Sequence, residues 1–144
     1  MTMHRPGRER CALQLSVALL ACVPILVGLT GILRGLDPFD AQAGLSRSGD
    51  SHVRYLSGVM LAIGLGYWST VPRIEVQGSR FRLLTALVLT GGLARLYALV
   101  LLGLPALGMI AGLGMELLVA PGLACWRESL ERRMRAAVAA PSCN

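Results

Sequence analysis

Lysine is absent from this chain: all fourteen basic residues are arginine. That points to GC-rich coding in a high-GC bacterium before it points to any mechanism. Histidine occurs only twice, as His4 and His52. No His-Glu-x-x-His pair, phosphate-binding Walker loop or Gly-x-Ser-x-Gly elbow occurs, so the familiar hydrolytic and nucleotide-dependent chemistries find no signature here. The four cysteines, Cys11, Cys22, Cys125 and Cys143, contain no Cys-x-x-Cys spacing, which argues against a zinc or dithiol redox site. Three of them fall at or beyond helix ends that we place in the cytoplasm, where disulfides are rare. Unpaired thiols are the expectation, with no metal, no cofactor and no catalytic residue.

Charge is also scarce, at 15% of residues against about 25% in soluble domains. Hydrophobic residues make up 54% of the 144 residues, and the mean hydropathy is +0.60. The apolar residues fall in four blocks separated by charged segments. The length allows one domain. A net charge of +6 would suit nucleic acid, but the arginines flank apolar blocks and do not line one soluble face, so no nucleic-acid partner is expected.

Residues 1–10 are polar and basic. Residues 11–33 then carry no charge, enough to cross a bilayer core of about 20 residues. Pro24 stands near the middle, where it is expected to kink a helix. Leu19-Leu20-Ala21-Cys22 resembles a lipoprotein cleavage box, but the chain stays apolar beyond Cys22, which favours an uncleaved span. A connection follows, with a short interfacial helix expected over 38–44 and a loop over 44–49. Asp50 reads as the N-cap of a second span, 53–71. There Arg54, Gly58, Ala62 and Gly66 recur every four residues, a cation above a strip of small residues suited to close helix packing. A basic loop, 72–82, precedes spans at 83–102 and 106–126, joined by Gly103-Leu-Pro105. Gly108, Gly112, Glu116 and Ala120 form a second small-residue strip. The tail, 127–144, is basic and either extends the last helix or lies on the membrane surface. No internal repeat is evident.

The expected architecture is therefore an all-α integral membrane four-helix bundle, up-down-up-down. Four spans put both termini and the 72–82 loop on one side, with ten of the fourteen arginines, so the positive-inside rule makes that side cytoplasmic. Trp68 and Trp126 fall at the same boundary. A rival reading treats 96–115 as one uninterrupted span; it would bury the Gly103-Leu-Pro105 turn in mid-membrane and export the basic tail.

Two formal charges lie inside the last two spans. Arg95 precedes the turn by nine residues and Glu116 follows it by twelve, about 14 and 18 Å along antiparallel helices at ~1.5 Å per residue. An unpaired charge at mid-bilayer costs at least ~2.5–3.5 kcal/mol. A hydrogen-bonded Arg95–Glu116 ion pair is therefore expected in the interior. Asp50, His52 and Arg54 form a candidate polar cluster at the outer mouth. In one reading the pair only fixes helix register. In the other, Arg95, Glu116, Arg54 and His52 line an outward-facing pocket for a lipid-like or small anionic ligand. A proton path is disfavoured by the lack of a chain of acids.

The segments Asp50-Ser-His-Val-Arg54-Tyr-Leu-Ser-Gly58, Gly91-Gly-Leu-Ala-Arg95-Leu, Gly103-Leu-Pro105 and Glu116-Leu, in this order and spacing, resemble the bacterial membrane family catalogued as domain of unknown function 4345. The resemblance covers about 33–127. It implies a four-helix membrane protein with Asp50, Arg54, Arg95, Pro105 and Glu116 as its polar signature, and it implies no activity. Tyr97 stands where a smaller polar residue is expected and would fill part of any pocket. At fold level alone the architecture also resembles DoxX-like small membrane proteins. The expected function is a non-enzymatic binding or accessory component of the bacterial inner membrane. The alternatives are a small carrier for an anionic or lipid-like solute and, third, an intramembrane enzyme. The bilayer itself is the expected partner, and association with a second copy or another membrane protein is left open.

Overall fold

A computed structural model describes residues 6–36 and 47–139. The interfacial helix expected over 38–44, the first five residues and the last five, with Cys143, lie outside them. All regular structure among the described residues is helical. Helix α1 (Pro6–Arg34) runs unbroken through Pro24. Helix α2 (Arg47–Thr70) is followed by a 3-10 turn (Val71–Arg73) and helix α3 (Gly78–Leu102). Beyond the break at 103–106, α4 (Leu107–Gly114), a π-helical turn (Met115–Val119) and α5 (Ala120–Ala139) follow one another without interruption.

Three stretches are long and apolar enough to cross a membrane: Gly7–Arg34, Gly78–Leu102 and Leu107–Ala136. Large apolar side chains stand exposed along them, among them Leu15, Leu19, Leu26, Leu87, Val100 and Leu118. Helix α2, at 24 residues, is slightly shorter and more dilute in apolar residues, because Arg54, the glycines at 58, 64 and 66, Tyr67 and Trp68 interrupt its run.

The boundaries differ from the sequence expectation in an instructive way. Helix α2 starts at Arg47, so Asp50 sits inside the first turn and does not cap it. Its carboxylate is engaged elsewhere, as described below. Five of the eleven residues of the 72–82 segment are not loop, since α3 already begins at Gly78. The uninterrupted span over 96–115 does not form. Helix α3 stops at Leu102, where Gly103 takes φ +90°, and its amide donates to the Leu99 carbonyl at 3.0 Å. That backbone region is open to glycine and strained for other residues. The tail to Ala139 extends the last helix.

The chain divides into two compact units. One comprises Leu15–Val71, and the other comprises the first turns of α1 together with everything from Pro72 onward. In the first unit α1 and α2 pack antiparallel. A Cβ on Gly28 would lie 2.7 Å from both the Leu61 nitrogen and the Ser57 carbonyl oxygen. One on Gly64 would lie 2.6 Å from Ile25 Cγ1 and 3.2 Å from the Ala21 oxygen. Trp68 Nε1 donates to the Ala18 carbonyl at 2.9 Å. The α2 contact positions are therefore 54, 57, 61, 64 and 68, and those of α1 are 18, 21, 25, 28 and 32. Both alternate steps of three and four, the period that keeps a straight seam on an α-helix.

The expected packing strip at Gly58, Ala62 and Gly66 is not this seam. Ala62 is exposed, and a Cβ on Gly58 would meet nothing within 4 Å. Four residues turn a helix by ~400°, so a strict four-residue strip drifts ~40° per step and leaves the contact face.

The seam makes a direct prediction. Gly28→Ala forces a methyl group against backbone atoms that cannot yield, and it should lower stability by about 1–3 kcal/mol. Gly58→Ala should stay within about 0.5 kcal/mol of the parent. Denaturant midpoints of the protein in mild detergent measure both; equal effects would rule out the seam.

Candidate functional site

The polar residues gather in three places. At the C-terminal end of α1 the last carbonyls lack intrahelical donors. Gly35 follows with φ +70°, and its amide donates to the Gly31 carbonyl at 2.9 Å, a left-handed cap that satisfies only part of that need. Arg54 reaches across from α2 for the rest. Its Nη1 donates to the Ile32 carbonyl and, at 3.5 Å, to that of Leu33. Asp50 completes the clamp: Oδ2 accepts from Arg54 Nε at 2.7 Å, and Oδ1 accepts from the Leu36 amide at 3.2 Å. A Cβ on Gly35 would lie 1.9 Å from Asp50 Oδ1, so only glycine fits beneath the carboxylate.

His52 is not part of this clamp. It lines a shallow depression with Arg47, Ser48, Ser51 and Tyr55. Positions 50 and 54 share one helix face, whereas 52 is turned ~200° from 50. The expected mouth cluster of Asp50, His52 and Arg54 is thus two separate features on opposite faces of α2.

The second gathering is the α3–α4 hairpin. Arg95 Nε lies 3.5 Å from Glu116 Oε2, within ion-pair range. The expected hydrogen bond between them is not made: Oε2 is buried and has no hydrogen-bond partner. Arg95 Nη1 donates instead to the Met109 Sδ at 3.8 Å, and a Cβ on Gly112 would sit 3.1 Å from it. Gly92 provides the close approach on α3, where a Cβ would lie 2.9 Å from Glu116 Cβ and 2.8 Å from Leu117 Cδ2. Gly108 faces open space. Glu116 belongs to the π-helical turn, in which the Ala120 amide bonds to the Met115 carbonyl five residues back. Pro121 accounts for that widening. It has no amide to give to Leu117, and its ring would press on that carbonyl in a regular α-helix.

The third gathering was not foreseen. Arg127 looks like the first residue of a solvated basic tail, yet it is 1% exposed. Its Nε donates to the Ile74 carbonyl at 2.7 Å and its Nη2 to that of Glu75 at 2.9 Å. Glu131 Oε2 lies 2.9 Å from Nη2. Gly78 packs against the guanidinium, where a Cβ would lie 2.7 Å from Nη2 and 2.8 Å from Nη1. Nearby, Arg10 pairs with Glu75 at 2.9 Å and donates to the Pro72 carbonyl at 3.4 Å, while Arg133 reaches Glu9 at 3.3 Å. The only sequence cue to Arg127 is Glu131 one turn later, a spacing common on any exposed helix.

Cys11, Cys22 and Cys125 are unpaired thiols, and no group of three potential metal ligands occurs among the described residues.

Long apolar helices, antiparallel pairing and arginines turned onto backbone carbonyls define a helical membrane protein. The sequence profile of the family described as domain of unknown function 4345 matches residues 12–127, and the chain belongs to that family. No curated protein and no solved structure matches it.

The clamp has a pH signature. The Arg54 hydrogen bond, and after it the Leu36 amide, hold the Asp50 carboxyl below the usual carboxylate range. A carboxyl lowered by folding stabilises the folded state above the unfolded value, near pH 4, and that contribution fades as pH falls toward the folded value. Asp50→Asn should therefore lower the unfolding midpoint at pH 7, and the gap to the parent should shrink at pH 3. A gap independent of pH would assign the effect to lost shape and not to charge.

Proposed function

We propose that this protein is a four-span bundle of the bacterial inner membrane, with both termini cytoplasmic, that works as a non-enzymatic binding or accessory component through Arg95 and Glu116. Support for α2 as a fourth span comes from its register. It is paired with α1 from Trp68–Ala18 to Asp50–Leu36, so it covers the same depth as an evident span. Its 24 residues extend ~36 Å, more than the hydrocarbon core needs.

The observation that carries the binding reading is a contrast among arginines. Arg10, Arg54 and Arg127 each donate to backbone carbonyls that have lost their own donors or sit in turns. Arg95 donates only to a thioether, and the carboxylate it faces retains an oxygen with no hydrogen bond. A purely structural pair inside a membrane is expected to close its hydrogen bonds, because each open one costs several kcal/mol. A polar solute with one donor and one anionic or carbonyl acceptor complements the pair: the donor for the Glu116 carboxylate, the acceptor for the Arg95 guanidinium. A lipid-like or small anionic molecule has that chemistry.

A double-mutant cycle with Arg95→Gln and Glu116→Gln separates the readings. A structural buried pair loses about 3–5 kcal/mol on removal of one partner, and the double change recovers part of it. The binding reading also allows such losses, because either single change leaves one unpaired intramembrane charge, so the deciding readout is the ligand. It expects both variants to lose a small molecule that co-purifies with the parent, detected by mass spectrometry. Large single losses with recovery in the double, and no such molecule, would leave the pair a structural strut. Reporter fusions after residue 139 and within 38–48 test the orientation; a periplasmic C-terminus ends the four-span reading.

A further inference from the structure

At the far end of α3 from the Arg95–Glu116 pair, a groove runs between the first turn of α3 and the charged half of α5. Gly78, Ser79 and Arg82 line one wall, and Glu128, Glu131, Arg132 and Arg135 stand on the other. We propose that this groove holds the phosphate of an anionic phospholipid, with the acyl chains running along the exposed face of α3. The proposal does not depend on the role of Arg95 and Glu116; it requires only that α3 spans the membrane.

Four observations support it. The amide end of a 25-residue helix carries a partial positive charge, and its N-cap, Gln77, makes no side-chain cap hydrogen bond. Directly behind Gly78 lies the guanidinium of Arg127, 1% exposed, whose Nη1 is buried without a hydrogen-bond partner. Gly78, which lines the groove, packs directly against that guanidinium, and a Cβ there would collide with Nη1 at 2.8 Å.

The charges around the groove do not cancel. Glu128 is shared by Arg82 and Arg132 at 3.8 Å each, and Glu131 by Arg127 and Arg135. Four arginines against two glutamates leave two positive charges, besides the helix end, for one phosphate. Arg132 and Arg135 are 83% and 79% exposed in their side chains, each tied only to the glutamate four residues before it, and such surface pairs are weak enough to exchange for a phosphate.

Depth decides the source of the phosphate. The groove is about one helical turn from Leu83, where the apolar run of α3 begins, which is headgroup level for a spanning helix. Ser79, Leu83 and Leu87 follow one another at four-residue spacing, and Leu83 and Leu87 are 62% and 51% exposed. Those leucines give acyl chains exposed apolar surface beside the groove. A free phosphate would gain nothing from it.

The test uses the full-length protein in mild detergent, with retention of phosphatidylglycerol or phosphatidylcholine read by native mass spectrometry. Arg82→Gln/Arg132→Gln/Arg135→Gln should lower phosphatidylglycerol retention at least about tenfold, given the attraction of each arginine near an anionic headgroup. A charge-matched control outside the groove, Arg8→Gln/Arg73→Gln/Arg133→Gln, should lose less than about twofold. Phosphatidylcholine should be retained weakly by all three proteins. Should the groove triple fail to fold, Arg132→Gln alone, on an exposed side chain, should still lose about threefold. Equal losses in the two triples, or equal retention of the two lipids by the parent, would overturn the proposal. So would displacement of phosphatidylglycerol by millimolar glycerol phosphate, because the groove would then take a soluble phosphate.

Discussion

A backbone carbonyl or amide inside a bilayer finds no water to bond, so the chain itself has to supply every partner. Most of this structure follows from how that constraint is met. Within helices the ladder meets it, and threonine hydroxyls fold back on the carbonyl four residues earlier at Thr30, Thr85 and Thr90. At helix ends the ladder fails, and where packing covers the open carbonyls arginine takes over. Arg54 closes the end of α1 from the neighbouring helix, and Arg127 closes the turn ahead of α3 from α5. A planar guanidinium with five donors suits both tasks: it reaches two successive carbonyls while keeping one carboxylate, Asp50 or Glu131, at its edge.

This division of labour gives the remaining charges their meaning. An arginine that holds carbonyls has a structural task, and its removal would leave helix ends open. Arg95 has no such task. It lies between α3 and α4 opposite a glutamate, with glycines at 92 and 112 keeping the two backbones close enough for the charges to meet. The π-helical turn then has a consequence for the site. A widened turn inserts one residue into the helical repeat, so the residues before it are rotated by ~100° relative to those after it. Glu116 and Leu117 can thereby face Gly92, while Arg127, further along, still faces Gly78.

Much of this was legible in the sequence because hydropathy reports burial in lipid and little else competes with it. The three most apolar spans, the Gly103-Leu-Pro105 turn and the approach of Arg95 to Glu116 follow from run lengths and a rise of ~1.5 Å per residue. What was illegible depends on angle and not on length. Strips of glycine and alanine at spacing four catch the eye at 58, 62 and 66, but the helices meet on the alternating three-and-four seam that contains Gly28 and Gly64. The same angular reasoning separates His52 from Asp50 and Arg54. Arg127 was hidden for another cause. Its neighbours in sequence are charged, and burial in this protein is decided by the turn at 71–77 folding over it.

Pro121 shows where a local signal existed and had a remote effect. Proline within an apolar run usually reads as a kink at its own position. Here its missing amide and bulky ring act four to five residues upstream, on the turn that carries Glu116. The residue that sets the orientation of the carboxylate is therefore neither charged nor in contact with Arg95. It also explains why Pro24 and Pro121, alike in sequence context, differ in consequence. Helix α1 remains α-helical through Pro24 beside a seam of small residues, whereas the helix before Pro121 carries a side chain whose direction depends on the local repeat. The same widened turn carries Glu116 to where a Cβ on Gly92 would lie 2.9 Å from its Cβ, so a residue five positions away helps fix where the carboxylate stands relative to Arg95.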